Sequence, residues 1–243
     1  MKFVLIIGAG SGIAKATATE FAKAGYGLYL SGRNMDDLKK TASDLAIRHN
    51  TDAKALHFDV LDYNSHKSFF DELEPKPYVV ITAAGLLGDQ TEAQNDFAAA
   101  QKTLDTNLTG LVSILNIAAN HFEAEGKGSI IGISSVAGDR GRMKNYIYGA
   151  AKAGFTAYLS GMRQRLHKKG VFVMSVQPGF VNTKMIEGLE TPKPLTAQPD
   201  QVGKLIYNGW KARKPVIYTP GYWRLIMFVV RSIPERIFQK LDL

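Results

Sequence analysis

The sequence predicts a doubly wound α/β chain, a parallel sheet with helices packed on both of its faces. Three observations carry this reading. Short apolar runs alternate with longer amphipathic stretches from Val4 to Val176. A glycine turn, Gly8-Ala9-Gly10-Ser11-Gly12, joins the first run to the first amphipathic stretch. The other polar motifs fall just after apolar runs, and the C-terminal ends of parallel strands are where such sheets form a binding crevice.

The elements follow in order. Val4–Ile7 reads as a buried strand, and Ile13–Ala24 after it repeats its apolar residues at helical spacing. Leu28–Leu30, Ala55–Phe58, Tyr78–Ile81 and Ser129–Ile133 read as further strands. They precede the helical stretches Met35–His49, Ser65–Leu73, Asp96–Phe122 and Tyr146–Lys168 respectively, and Val171–Val176 is a sixth strand. The stretch 184–199 carries Pro192, Pro194 and Pro199 and follows soon after a strand end. It is expected to be a loop covering a substrate, with a plain surface loop as the alternative. The whole chain, 1–243, is expected to be one domain, with 211–243 as a basic, apolar C-terminal extension.

Composition narrows the class. The chain is 45% hydrophobic and 21% charged, enough to bury a core and too apolar for disorder. It has no cysteine, which excludes disulfides and thiolate metal sites and suits a reducing, cytoplasmic setting. The N-terminal apolar run is too short for a signal peptide, and Leu225–Val230 falls far short of the ~20 residues a spanning helix needs. From Lys204 onward, eight basic residues opposed by Glu235 and Asp242 leave +6 of the net +8. This charge reads as a solubilising surface, or as a partner for an anionic membrane or substrate. No nucleic-acid motif accompanies it.

The glycine turn is built to cradle phosphate. Glycine lets the backbone approach a pyrophosphate, and the helix that Ser11, Gly12 and Ile13 open offers N–H donors and a positive dipole end. The spacing fits G-x-x-x-G-x-G with Ala14 in the last place, and not G-x-G-x-x-G. After the second strand comes Arg33-Asn34, with none of the acid that usually binds the ribose 2′-hydroxyl of NAD. Arg33, assisted by Asn34, instead suits a 2′-phosphate and favours NADP(H), although a helix-flanking surface arginine is the plainer alternative. Asp59, with Val60 beside it, can accept from an adenine amino group or simply cap a helix. Ala83, Ala84 and Gly85 leave room for a ribose.

Tyr148 and Lys152 stand one helical turn apart, with Ser135 thirteen residues before the tyrosine. A phenol next to an ammonium is expected to ionise below its usual pKa of about 10, and so to pass a proton to or from a carbonyl oxygen. Ser135 can hold that oxygen. Asn107 can kink its helix or hold a water beside Lys152, or be an exposed helical asparagine. Tyr146 lacks the lysine four residues on.

In their order and spacing these motifs, with Pro178-Gly179-Phe180-Val181-Asn182-Thr183, resemble the short-chain dehydrogenase/reductase family over roughly residues 3–210. The resemblance implies a Rossmann fold with a seven-stranded parallel sheet, often assembled as a dimer or tetramer. It implies catalysis by Asn107, Ser135, Tyr148 and Lys152, and cofactor contacts from Tyr148 and Lys152 and from Pro178, Gly179, Val181 and Thr183. Ala14 and Thr82-Ala83 depart from the family's usual glycine and paired asparagines. More narrowly, 134–149 and 231–241 resemble members that reduce a decaprenylphosphoryl 2-keto-pentose, a polyprenyl-linked keto-sugar. That likeness makes Arg140 and Arg142 candidate substrate-phosphate ligands. The aromatic and basic C-terminal segment then lies either on the inner face of a membrane, as a peripheral contact, or against a neighbouring subunit. Two other readings remain: a reductase of a soluble or fatty ketone that uses the tail for oligomerisation, and a non-catalytic nucleotide-binding scaffold.

Overall fold

The computed structural model describes residues 1–241; Asp242, counted in the tail's charge, lies outside them. Seven parallel strands form one sheet. They are β1 (Phe3–Ile7), β2 (Gly27–Gly32), β3 (Ala53–His57), β4 (Val79–Thr82), β5 (Gly128–Ile133), β6 (Val171–Pro178) and, after a two-stranded ribbon of β7 (Phe180–Val181) and β8 (Thr196–Ala197), β9 (Val216–Thr219). Their order is β3-β2-β1-β4-β5-β6-β9. All five residues of β1 are buried, as expected for an interior parallel strand covered on both sides.

The period-two alternation of side chains divides the core into two layers. Val4, Ile6, Leu28 and Leu30 face one way, packing with Phe21, Leu38, Val202 and Ile206. These come from helices α1 (Gly12–Lys23), α2 (Met35–His49) and a helix at Pro199–Lys211. Leu5, Ile7 and Val80 face the other way, against Phe70, Leu111, Leu115, Phe155 and Leu159. Those side chains come from α3 (His66–Asp71) and, after α4 (Gln90–Asn95) and α5 (Phe97–Leu104), from α6 (Gly110–Glu125) and α7 (Tyr146–Leu166). The helix at Pro199–Lys211 is α8; α9 (Trp223–Ser232) and α10 (Glu235–Phe238) end the chain.

Two expectations change. The helical region 96–122 is not uniform, because a π-helical turn, Asp105–Thr109, separates α5 from α6 and carries Asn107 at its centre. The segment from 211 is not an appended extension. It contains β9, the seventh strand, paired in parallel with β6, and Trp223 and Met227, which are 4% and 1% exposed.

Candidate active site

The sheet order reverses between β1 and β4, and a cleft of about 430 Å³ opens at their C-terminal ends. Parallel sheets bind ligands at this kind of switch point. Gly8, Gly10, Ser11, Arg33, Asn34, Asp59, Val60, Ala83, Ala84 and Gly85 line it. Gly8 has φ +80°, and a Cβ there would stand 2.4 Å from the Ala84 backbone nitrogen, so only glycine closes the turn. A Cβ on Gly10 would meet nothing nearer than 3.7 Å, which leaves that backbone open to the cleft. Ser11 caps α1 by accepting from the Ala14 N–H at 3.1 Å. Asn34 caps α2 through the Asp37 N–H, and Asp59 accepts from the Leu61 N–H at 3.0 Å with one carboxylate oxygen. Arg33 is exposed and makes no ion pair among the described residues.

Gly12, Ile13, Pro178, Gly179, Val181 and Thr183 lie outside this lining. Thr183 nonetheless reaches the glycine turn: its methyl would be 3.1 Å from a Cβ on Gly12. Gly179 has another task. A Cβ there would fall 1.9 Å from the Trp223 ring, so this glycine seats the α9 indole. Val181 is buried. Leu38, Lys102 and Thr106 also line the cleft; no motif marks them in the sequence.

At the inner end of the cleft, Gly85 stands between Asn107 and Lys152. A Cβ on it would be 3.1 Å from Asn107 Oδ1 and 3.6 Å from Lys152 Nζ. Asn107 is fully buried. Its amide donates to the carbonyls of Leu86 (2.6 Å) and Thr103 (2.8 Å), and its oxygen accepts from the Leu86 N–H at 3.3 Å. The π turn thus ties the strand-β4 loop to the helix.

Lys152 is 3% exposed and donates to the Ile133 carbonyl at 3.3 Å. Burial pushes its pKa down to about 8. Its Nζ lies 5.6 Å from the Tyr148 ring centroid. Tyr148 is also buried, and desolvation pushes it up to about 12, partly offset by a hydrogen bond donated by Ser135. The lowering expected from Lys152 is not found: burial raises the phenol, and only the Ser135 hydrogen bond works against it. Ser134, which sequence reasoning passed over, holds the base of α7. Its hydroxyl bonds the Lys152 carbonyl (3.0 Å) and Thr156 Oγ1 (2.7 Å). Tyr146 is 44% exposed, away from this cluster.

Arg140 is a correction. Its guanidinium donates to the carbonyls of Val230 (2.7 Å) and Ile233 (2.6 Å) at the end of α9, pairs with Glu235 at 2.8 Å, and lies 3.7 Å from the Phe238 ring centroid. Its NH1 and NH2 groups are thus turned to the C-terminal segment rather than to the cleft. Arg142 is half-buried, donating to the Val136 carbonyl at 3.3 Å and touching the Met227 sulfur. Asp139 accepts from the Tyr218 hydroxyl at 2.9 Å. The loop after Ser135 is thus fastened to the C-terminal segment.

A family model described as short chain dehydrogenase matches residues 2–193. The chain belongs to the short-chain dehydrogenase family. It is an oxidoreductase of that family using a nicotinamide cofactor, and its fold is the Rossmann fold. An uncharacterized oxidoreductase of Mycobacterium tuberculosis is 34% identical over 241 residues, covering 98% of this chain and 96% of its own. Sulfoacetaldehyde reductase 2 of Chromohalobacter salexigens is 35% identical over 187 residues, 74% of this chain and 73% of its own. The structure of a short-chain dehydrogenase from Sphingobium yanoikuyae in complex with NADPH superposes with a TM-score of 0.85 at 24% identity, covering 97% of both chains.

Proposed function

We propose that this short-chain dehydrogenase is an NADPH-dependent carbonyl reductase. The observation that carries the reading is the convergence of Ser135, Tyr148 and Lys152 beyond Gly85, at the inner end of a cleft whose outer end carries the uncompensated cation Arg33. NADPH, when bound, supplies the hydride. The glycine turn and α1 hold its pyrophosphate, Arg33 and Asn34 its 2′-phosphate, Asp59 its adenine, and Gly85 and Thr183 flank the inner part of the site. The NADPH in the similar Sphingobium structure supports the same cofactor.

Tyr148 is the acid. Its raised pKa keeps the phenol protonated at ordinary pH, ready to give its proton to the carbonyl oxygen. Ser135, whose hydroxyl interacts with the phenol, is placed to turn its one O–H to the substrate oxygen instead. Lys152 stabilises the phenolate left behind, and Asn107 fixes the loop wall between them. Arg33→Ala tests the cofactor: its affinity for NADPH is expected to fall roughly ten- to a hundredfold, the worth of a charge-assisted contact, with NADH unchanged. Equal losses for both nucleotides would refute the 2′-phosphate contact.

For the substrate, we propose a keto group on a polyprenyl-phosphate sugar. The likeness of 134–149 and 231–241 to reductases of that type supports it. So does the outer face of α9, where Leu225 and Phe228 are each 69% exposed between Arg224 and Arg231. The same surface would serve a dimer or tetramer acting on a soluble or fatty ketone. Leu225→Glu with Phe228→Glu separates the readings. Loss of flotation with anionic vesicles at unchanged sedimentation favours the lipid-linked substrate; dissociation without any vesicle binding favours the other.

A further inference from the structure

We propose that Lys15 sets the nucleotide preference of the cleft by neutralising Asp37; the inference rests on the NADPH reading above. Asp37 stands in the first turn of α2. Its Oδ2 is 3.7 Å from where a Cβ on Gly10 would be. Gly10, Arg33 and Asn34 all line the cleft, so the carboxylate borders the corner assigned to the 2′-phosphate. The site suits α2, because an acid near a helix N-terminus complements the macrodipole. It does not suit a phosphate carrying nearly two negative charges. Left uncompensated, a carboxylate at this corner would favour a ribose bearing a free 2′-hydroxyl.

Lys15 compensates it, with Nζ 2.7 Å from Asp37 Oδ1. The lysine gains little where it stands. It is in the first turn of α1, where the dipole disfavours a cation. The two side chains are 36% and 40% exposed, and pairs so exposed contribute little to stability. The consequence of the pair lies in the local potential. With Lys15 on Asp37, Arg33 faces the phosphate without a competing anion, and NADPH is preferred.

The test is a titration of the full chain with NADPH and with NADH, followed by calorimetry so that no substrate is needed, on wild type, Lys15→Ala, Asp37→Asn and the double variant. Lys15→Ala should weaken NADPH by roughly five- to twentyfold and NADH by less than about twofold, with the difference shrinking in about 1 M salt as screening closes in. Asp37→Asn on top of Lys15→Ala should restore NADPH to within about twofold of wild type, since the anion is then gone. A double variant as weak as Lys15→Ala alone would overturn the inference, because Lys15 would then hold the phosphate itself. Equal weakening of both nucleotides by Lys15→Ala would overturn it too. A wild type without preference for NADPH would remove the underlying cofactor reading, and the inference with it. Thermal unfolding of each variant verifies that all four are folded.

Discussion

At the residue scale, the site is held against the preference of its own side chains. Lys152 is an ammonium buried to 3% exposure with one carbonyl partner at 3.3 Å. Its pKa falls from 10.5 to about 8, which corresponds to a cost of about 3 kcal/mol for keeping the proton. Lys152→Met, similar in length and apolar, should therefore stabilise the protein by up to about 3 kcal/mol at pH 7 while abolishing turnover. Thermal melts and assays on the same preparation check this. The pH dependence has a definite sign. Below about 8 the folded and unfolded states both hold the proton, and the cost is complete. Between about 8 and 10.5 only the unfolded state holds it, so the cost fades as pH rises. The stability gap between Lys152→Met and wild type should accordingly narrow above pH 8. The rate of reduction in wild type should fall over the same range, as Lys152 loses its charge. A gap that widens with pH would contradict the assignment.

At the element scale, two joints position the site. Asn107 uses a π turn to bond the Leu86 backbone in both directions. Asn107→Ala leaves those buried groups unpaired, a loss of about 2–3 kcal/mol, measurable by urea unfolding. Carbonyl turnover should drop more than NADPH affinity, because the nucleotide turn is elsewhere. The second joint is Gly179 under Trp223. Gly179→Ala forces a Cβ into the indole and should cost at least about 1–3 kcal/mol by overpacking, with urea unfolding again the measure. β1 and β4 were legible in the sequence because buried parallel strands are apolar runs; β3, only half-buried and interrupted by Lys54, begins at Ala53, two residues before the expected Ala55. β9 was not legible. It is four residues long, follows Pro215 and buries only Thr219 fully, so neither length nor pattern marks it apart from its pairing with β6. α8 could have been read, since Pro199 opens it and Val202 and Ile206 share a face. A kink at Asn107 was among the readings, but its π form was not legible, because Asn107 bonds a loop twenty-one residues away. Tyr148 and Lys152 were legible because helical spacing brings them together. The fate of Arg140 was not, because its partners lie some ninety residues on.

At the scale of the whole molecule, the C-terminal segment belongs to the core and to the site wall at once. Val136, beside Ser135, packs with Trp223 and Met227, and Arg140 clamps the end of α9. Arg140→Ala should free α10 and raise its proteolysis rate, with NADPH affinity unchanged because the cleft is elsewhere; limited proteolysis with and without NADPH measures it. No helix among the described residues is long and apolar enough to cross a membrane; the lipid contact proposed above would use the exposed face of α9. The claim on which the rest depends is that Tyr148 delivers the proton while NADPH serves as reductant. The most direct measurement compares wild type with Tyr148→Phe, following the loss of NADPH absorbance against a panel of ketones alongside NADPH binding by calorimetry. The variant should bind NADPH as wild type does and turn over at least about a hundredfold more slowly. A Tyr148→Phe protein that reduces the same ketone at the wild-type rate would contradict the account.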